Sequence, residues 1–433
     1  MDPQMRRAAM VAADAAGLRR CGEVLRAGGN VAFPTETVYG LGGNALDEHA
    51  VAQIFAKKGR PLTDPLIVHV NDAEAALELV EARGSTLRLF RALAAAFWPG
   101  PLTMVLRASP KVPSSVCAGT GFVGVRSPDH EIARRLIAES GVPIAAPSAN
   151  RFGHVSPTSA EHVMYDLADQ DLLIVDGGDL SSGVCTVGIE STVLRVADPE
   201  VDDDDDDFNE HDEACNESQN ASKNAAPREL VLFRKGGVPE TELRRVLDEA
   251  GFVNTRIVEP KRPSSKKIKE QETSEGEQEE GAMAPGQSVT HYAPDIDTWL
   301  LRKQEVSVLV DAEGKPQKAV LKREKDGLEE GEESGENDET EVELATCVVL
   351  DFGGELKVLE PHVLGYLELS KEGDAAEAAR SLFSGLRWTE TTTAQHVLIQ
   401  DASHASGALA ASVADRMFRA ASGKVAANLH VQM

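Results

Sequence analysis

Hydrophobic and polar residues alternate along the chain in patterns that predict interleaved helices and strands. Leu18, Cys21 and Leu25 recur at spacings of three and four before Gly28, which predicts a helix over 14–27. Similar patterns predict further helices at 50–58, 73–82, 86–97 and 130–140, and short apolar runs predict strands at 31–34, 65–70, 101–108, 122–128, 142–146, 172–178 and 191–197. This alternation predicts an α/β fold with a substantial sheet.

A second, smaller group of elements follows a polar stretch at 260–282. The apolar runs TWLLR, VSVLVDA, TCVVLDFG and HVLIQDA predict strands, and helical patterns occur near 374–387 and 406–421. We therefore expect a first domain over 14–250, a linker over 251–294 and a small α/β domain over 295–433. The second domain has no GxGxxG motif, so its sequence does not support dinucleotide binding.

The net charge of −27 is concentrated in a few acidic runs. Three of them, at about 198–228, 269–280 and 322–343, are predicted to be disordered insertions, because such segments bury too little apolar surface to offset their ordering entropy. The overall charge is therefore a poor guide to partners, and it does not exclude a basic pocket.

The five cysteines are scattered and form no CxxC pair, so the sequence has no cysteine spacing typical of a zinc site. The absence of a disulfide pattern indicates a reducing compartment. No apolar run reaches the roughly 20 residues that a membrane span requires. We expect a cytoplasmic protein without a membrane partner. The arginines near the N-terminus leave organellar targeting open as an alternative.

Candidate chemistry begins at a basic turn. Lys58 and Arg60 flank Gly59, and the strand that follows ends in His69. Fixed cations beside a strand end suit phosphate oxygens. A solvated basic turn gives the same pattern, and a histidine on an apolar strand is more often a core residue than a catalytic one.

Polar residues recur at the ends of other predicted strands. Thr35 and Thr37 could contact an amino-acid ligand or merely cap a turn. Arg126 requires an anionic partner, either a structural carboxylate or a bound one. The remaining candidates are Ser148, Asn150, Ser156, Ser191 and Arg234. The chain has no P-loop motif and no evident covalent nucleophile, which favours adenylyl transfer catalysed by positioning and charge.

A series of sequence blocks, in order, resembles the YrdC-type threonylcarbamoyl-AMP synthase family. The blocks are FPTETVYGLG, KKGRPLTDPLIVHV, FWPGPLTMVL, VRSPDH, VPIAAPSAN, SPT, GIEST and LFRKGG, and GQSVTHYAP resembles the longer two-domain form. The family's K-x-R and S-x-N signature is present as Lys58, Arg60, Ser148 and Asn150. The resemblance implies an open twisted sheet with flanking helices and a smaller, Rossmann-like C-terminal domain, joined by a linker that reaches over the active site.

The resemblance also implies an activity. The family's enzymes are nucleotidyltransferases that join L-threonine, bicarbonate and ATP, with Mg²⁺, into threonylcarbamoyl-AMP and pyrophosphate. Their product serves the N6-threonylcarbamoyladenosine modification of tRNA. The partners implied are therefore a downstream transferase complex and tRNA or double-stranded RNA on a basic surface.

Site residues can be carried over by matching motifs. Threonine would be held by Thr35, Thr37, His69, Arg126, Ser191 and the backbone of Ala146. ATP would be held by Lys58, Arg60, Ser148, Asn150, Ser156, Arg234 and Tyr292, with Lys58 and Arg60 as the catalytic residues. Asp64, at a position where the family usually has asparagine, is placed in the ATP site; it either coordinates the metal or weakens ATP binding.

Other function classes compete with this interpretation. A non-catalytic protein that binds tRNA or double-stranded RNA would need only lysines and arginines for its phosphate contacts. A hydrogenase-maturation carbamoyltransferase would share the fold, but the chain lacks the cysteine pairs expected of it. An α/β scaffold without activity would not explain the ordered series of motifs.

Overall fold

The computed structural model describes residues 7–178, 184–196, 228–260, 281–285, 292–302, 307–310, 315–322 and 339–426. Most of the predicted acidic insertions and of the predicted linker lie outside these described residues. Within them, no helix combines the length and the apolarity that crossing a bilayer would require.

The first domain is built on a twelve-stranded mixed sheet. Its strands are β1 (Ala9–Ala12), β2 (Val31–Phe33), β3 (Gly40–Asn44), β4 (Ile67–His69), β5 (Val80–Glu81), β6 (Leu102–Ala108), β7 (Phe122–Arg126), β8 (Ile144–Ala145), β9 (Leu173–Asp176), β10 (Thr192–Arg195), β11 (Glu229–Arg234) and β12 (Arg256–Val258). The order is β1-β9-β2-β3-β8-β4-β7-β6-β10-β11-β12, and β5 pairs with β6.

Helices flank this sheet. They are α1 (Ala15–Arg26), α2 (Glu48–Lys58), α3 (Ala73–Leu77), α4 (Gly84–Phe97), α5 (Glu131–Ser140), α6 (Ala160–Leu167) and α7 (Glu240–Glu249). Helix α1 begins where Asp14 accepts a hydrogen bond from the Gly17 amide at 2.8 Å. It buries Leu18, Cys21 and Leu25, the residues whose spacing predicted it.

Strand register brings the chemically interesting residues together. His69 on β4 pairs with Arg126 on the parallel strand β7, and it also pairs with Ile144 on β8. Ala146 follows directly after β8. The turn that carries Thr35 and Thr37 connects the antiparallel strands β2 and β3. A cleft at these strand ends follows from the topology.

The C-terminal domain contains two sheets. Their strands are β13 (Asp297–Leu301), β14 (Ser307–Val310), β15 (Pro316–Lys322), β16 (Glu339–Glu343), β17 (Cys347–Phe352), β18 (Gly365–Ser370), β19 (His396–Gln400) and β20 (Val425–Ala426). A parallel sheet has the order β18-β17-β19-β13-β20, and β14-β15-β16 form an antiparallel one. The principal helices are α8 (Ala375–Glu390) and α9 (Ala410–Ala420). Both domains confirm the predicted α/β class.

Several observed strands were not predicted from the sequence, among them β1, β3, β12, β15 and β18. The helix predicted over 73–82 ends at Leu77 and is followed by strand β5. Strand β3 was not predicted, because glycine weakens strands. A Cβ at Gly42 would lie 2.8 Å from side-chain atoms of Ile144 and Phe33, so only glycine fits there. Strand β16 falls within a run predicted to be disordered. It forms because Val342 packs in a buried cluster, while Glu341 and Glu343 pair with Lys318 on β15.

Candidate functional site

A cavity at the strand ends of the first domain is lined by most of the predicted site residues. These are Thr35, Thr37, Arg60, His69, Arg126, Ala146, Ser148, Ser191 and Arg234. Glu190 and Pro285, which were not among the predicted site residues, also line it. Lys58, Asp64, Asn150, Ser156 and Tyr292 are buried outside the wall.

Arg126 marks one end of the cavity. Its guanidinium lies 2.6 Å from a carboxylate oxygen of Glu36, and it donates a hydrogen bond to the Thr37 hydroxyl at 3.0 Å. That hydroxyl also contacts the Thr35 hydroxyl at 2.8 Å. The structural carboxylate left open by the sequence is therefore Glu36. The cavity wall still presents a cation flanked by hydroxyl groups, which suits a small carboxylate ligand.

His69 lies beside this cationic end and is buried. Burial, assisted by the charge of Arg126, lowers the pKa of His69 to about 3. Its Nδ1 atom has no hydrogen-bond partner among the described residues. A neutral imidazole with an available nitrogen can orient a polar ligand, whereas its low pKa makes it a poor general base at neutral pH.

The depressed pKa of His69 predicts an acid-sensitive fold. Below pH 6.5, His69 becomes protonated in the unfolded chain but stays neutral in the folded protein until the pH approaches 3. The free energy of unfolding therefore decreases as the pH falls through this range. We expect His69→Gln to lose less unfolding free energy than the unmodified protein between pH 6.5 and 4.5. Urea denaturation at both pH values measures this difference. His49→Gln, at an exposed site, is the control; identical pH dependence of all three proteins would contradict the prediction.

Arg60 also forms part of the cavity wall and is held by the turn that follows α2. Gly59 ends that helix in the left-handed conformation, with φ of 64°, which glycine adopts without strain. Arg60 donates to the backbone carbonyls of Asp64 and Pro65, and its guanidinium lies 3.0 Å from the Asp64 carboxylate. Asp64 therefore neutralises an arginine and does not itself face the cavity.

Arg234 is a further cation in the cavity wall. It donates hydrogen bonds to the carbonyl and the hydroxyl of Ser191 at 3.1 and 3.2 Å. Within the described residues, no ion pair joins Arg234 to a carboxylate. Burial lowers its pKa below the ordinary range of arginine, as it does for Arg60. Both groups are poorly solvated cations that would gain from binding an anion.

Lys58 is buried next to the cavity wall and contacts the loop that carries Ser148. Its ammonium nitrogen donates to the backbone carbonyls of Ser148, at 2.7 Å, and Asn150. Burial and the nearby Arg60 lower the pKa of Lys58 well below its ordinary value. The Asn150 side chain in turn donates to the carbonyls of Arg151 and His154. Lys58 thus joins the K-x-R turn to the S-x-N loop and shapes the loop that carries Ser148.

The C-terminal domain contributes to the same region. The Ser156 hydroxyl donates to one oxygen of Glu190 at 2.7 Å, and Arg416 of α9 donates to the other at 3.2 Å. Tyr292 packs against Phe383 of α8, with ring centres 5.3 Å apart, and lies beside the cavity rather than in its wall. Pro285, from the predicted linker, does reach the wall.

The residues of the cavity fit a magnesium ion that is coordinated mainly by nucleotide phosphates. Glu190 is the carboxylate in the cavity wall, and both of its oxygens are engaged. Asp64 is paired with Arg60. Mg²⁺ commonly keeps several waters and binds through substrate phosphates. The donor set here suits an ion held by phosphates and water rather than by a protein cage.

The fold and the cavity define a two-domain α/β protein with an arginine-lined pocket at the strand ends of its larger sheet. Residues 23–202 match the Sua5/YciO/YrdC family, described as "Telomere recombination", and residues 238–422 match the Sua5 C-terminal family, described as "Threonylcarbamoyl-AMP synthase, C-terminal domain". The chain belongs to the Sua5/YrdC family in its two-domain form.

Similar proteins support this membership. The threonylcarbamoyl-AMP synthase of Pyrococcus abyssi is 38% identical over 273 residues, which cover 63% of this chain and 64% of that protein. The Bacillus subtilis threonylcarbamoyl-AMP synthase is 38% identical over 294 residues, covering 68% and 65% of the two chains. The aligned regions thus span slightly less than two thirds of these relatives.

Solved structures match over a larger share of the chain. The crystal structure of P. abyssi Sua5 complexed with L-threonine has a TM-score of 0.64 and 29% identity, and it covers 97% of this chain and 99% of that one. A double-alanine variant of the same protein gives a TM-score of 0.66 at 28% identity, with coverage of 98% and 99%. The resemblance to the two-domain form is confirmed.

Proposed function

We propose that the protein is an L-threonylcarbamoyladenylate synthase, which makes threonylcarbamoyl-AMP and pyrophosphate from L-threonine, bicarbonate and ATP. The observation that carries this proposal is the cavity itself, which has Thr37, His69 and Arg126 at one end and Arg60 and Arg234 elsewhere in its wall. The cavity wall offers a cation and hydroxyl groups for an amino acid and further cations for a triphosphate. The names of the similar proteins support the same activity.

The proposed reaction has two steps. Bicarbonate breaks down to CO₂ and hydroxide, the threonine amine attacks the CO₂ carbon, and the proton that the nitrogen loses combines with the hydroxide to give water and a carbamate. A carbamate oxygen then attacks the α-phosphate, and the bond to the β-phosphate bridging oxygen breaks to release pyrophosphate. Arg126 neutralises the threonine carboxylate and His69 orients the amino acid. Arg60 and Arg234 stabilise charge on the phosphates, and Mg²⁺ bound with ATP supplies further charge stabilisation.

The other predicted residues assist this arrangement. Ser148 contacts the nucleotide from the cavity wall, while Lys58 and Asn150 hold its loop in shape. The backbone of Ala146 and the Ser191 hydroxyl complete the threonine end. The product would pass to a transferase that modifies tRNA, because a mixed carbamic–phosphoric anhydride is an activated carbamoyl donor.

Mass spectrometry of the reaction products tests the proposal directly. Incubation with ATP, threonine and bicarbonate is expected to yield threonylcarbamoyl-AMP and pyrophosphate, and omission of any one substrate should abolish both. ATP hydrolysis that is independent of threonine would contradict the proposal. RNA binding without any turnover would instead favour the non-catalytic alternative.

Arg126→Lys is expected to weaken threonine binding selectively. Lysine lacks the planar guanidinium group, with which Arg126 can contact Glu36, Thr37 and a ligand carboxylate at the same time. We expect the KM for threonine to rise about 10-fold or more, with little change in the KM for ATP. Steady-state pyrophosphate release measures both constants. Arg134→Lys, at an exposed position of α5, is the matched control, and an equal rise in both KM values would refute the assignment.

A further inference from the structure

Arg416 is a buried cation that the C-terminal domain places against the wall of the nucleotide pocket. Its side chain is fully buried, and its Nε donates to Glu190 at 3.2 Å. Its Nη1 donates to the backbone carbonyl of Lys235 and to Asp415, the latter at 3.3 Å. Two of these partners, Glu190 and Lys235, belong to the first domain, so Arg416 connects the domains directly at the cavity.

The contact between Arg416 and Glu190 matters for the cavity because Glu190 is part of its wall. It lines the cavity, is 6% exposed, and carries its charge beside the proposed triphosphate position. A buried carboxylate there would repel phosphate unless a cation compensated it. Arg416 supplies that cation from outside the cavity wall, and Glu190 remains free to accept the hydrogen bond from Ser156.

The other arginines near Glu190 could neutralise its charge only by giving up their present partners or their availability for phosphate. Arg60 is paired with Asp64 and Arg126 with Glu36. Arg234 contacts only Ser191 among the hydrogen bonds of the described residues. If Arg416 were absent, Glu190 would attract Arg234, the cation that the pocket otherwise leaves available for phosphate.

We propose that Arg416 is a positioning residue for ATP, which neutralises Glu190 and thereby keeps Arg234 available to the phosphates. The inference rests on the proposed function and assigns the C-terminal domain a part in it. The same guanidinium lies 5.7 Å from the ring centre of Tyr292, which packs on Phe383 of α8. Arg416 therefore contacts both Tyr292, near the end of the linker, and Glu190 in the cavity wall.

Calorimetric titration of the full-length protein with a non-hydrolysable ATP analogue and Mg²⁺ tests this role. We expect Arg416→Gln to weaken nucleotide binding about 30-fold or more, because Glu190 is left uncompensated. Threonine affinity, which depends on the Arg126 end, should change less than about 2-fold. Arg416→Lys should recover part of the nucleotide affinity.

The double variant Glu190→Gln/Arg416→Gln separates charge compensation from a merely structural role. It removes both charges, so we expect nucleotide binding to return to within about 5-fold of the unmodified protein. This variant also keeps the test informative if Arg416→Gln alone fails to fold. Arg245→Gln, which removes an exposed arginine from α7, is the control for loss of charge.

Three outcomes would overturn the inference. Unchanged affinity in Arg416→Gln would show that Glu190 needs no compensation. A double variant as weak as or weaker than the single one would show that Arg416 acts only through packing. Failure of the unmodified protein to bind the nucleotide would contradict both this inference and the proposed function, whereas the first two outcomes leave the proposed function standing.

Discussion

Arg60→Ala is expected to reduce threonine- and bicarbonate-dependent pyrophosphate release by about 100- to 1000-fold. Arg60 is a buried cation in the cavity wall, where the proposed interaction with phosphate would be little screened by water. The loss should fall on kcat/KM for ATP, since the arginine stabilises charge that grows as pyrophosphate leaves. Pyrophosphate release under saturating threonine measures this.

Controls must separate chemistry from folding at this position. Arg60→Ala leaves the Asp64 carboxylate without its cation, which lies 3.0 Å away in the unmodified protein. The double variant Arg60→Ala/Asp64→Asn removes that imbalance and should fold normally while remaining inactive. Lys57→Ala provides a matched loss of charge, because Lys57 bonds Asn30 and Gln53 and not the cavity. Near-normal turnover in the folded double variant would refute the phosphate role of Arg60.

The convergence of the site could be predicted from sequence because strand ends meet at one edge of a sheet. Thr37, His69, Arg126 and Ser148 each follow or end a predicted strand, and all line the same cavity. The register between β4 and β7 places His69 directly opposite Arg126. Local patterns identified these strands, and the sheet topology then brought their ends together.

The partners of the cations could not be predicted, because they depend on contacts between residues far apart in sequence. Arg126 pairs with Glu36 across 90 positions of the chain, and Glu190 pairs with Arg416 from the other domain. Lys58 illustrates the same limit. The motif indicates a phosphate ligand, yet its amine is buried against the carbonyls of Ser148 and Asn150.

A second inter-domain contact lies beside the loop that Lys58 supports. Arg387 of α8 donates to both carboxylate oxygens of Asp166, at 3.0 and 2.8 Å, and to the carbonyl of Val155. His154 bridges the same Asp166 and Glu390 of α8. Burial alone would lower the pKa of His154, but hydrogen bonds to these two carboxylates raise it to about 9. The charged histidine and Arg387 therefore hold the 151–155 segment against the C-terminal domain.

Arg387→Gln is expected to cost about 3–5 kcal/mol of unfolding free energy, because it removes the bidentate cation from the buried Asp166 carboxylate. We also expect the two domains to unfold in separate transitions, since this ion pair crosses their interface. Urea denaturation followed by fluorescence distinguishes the two domains when the variant is made in proteins that keep a single tryptophan, either Trp388 on α8 or Trp98 at the end of α4. Asp166→Asn/Arg387→Gln should recover much of the loss, whereas Arg380→Gln, on the same helix and exposed, should unfold like the unmodified protein. A cost below about 1 kcal/mol in Arg387→Gln, with one coincident transition, would show that packing of the apolar clusters alone holds the domains together.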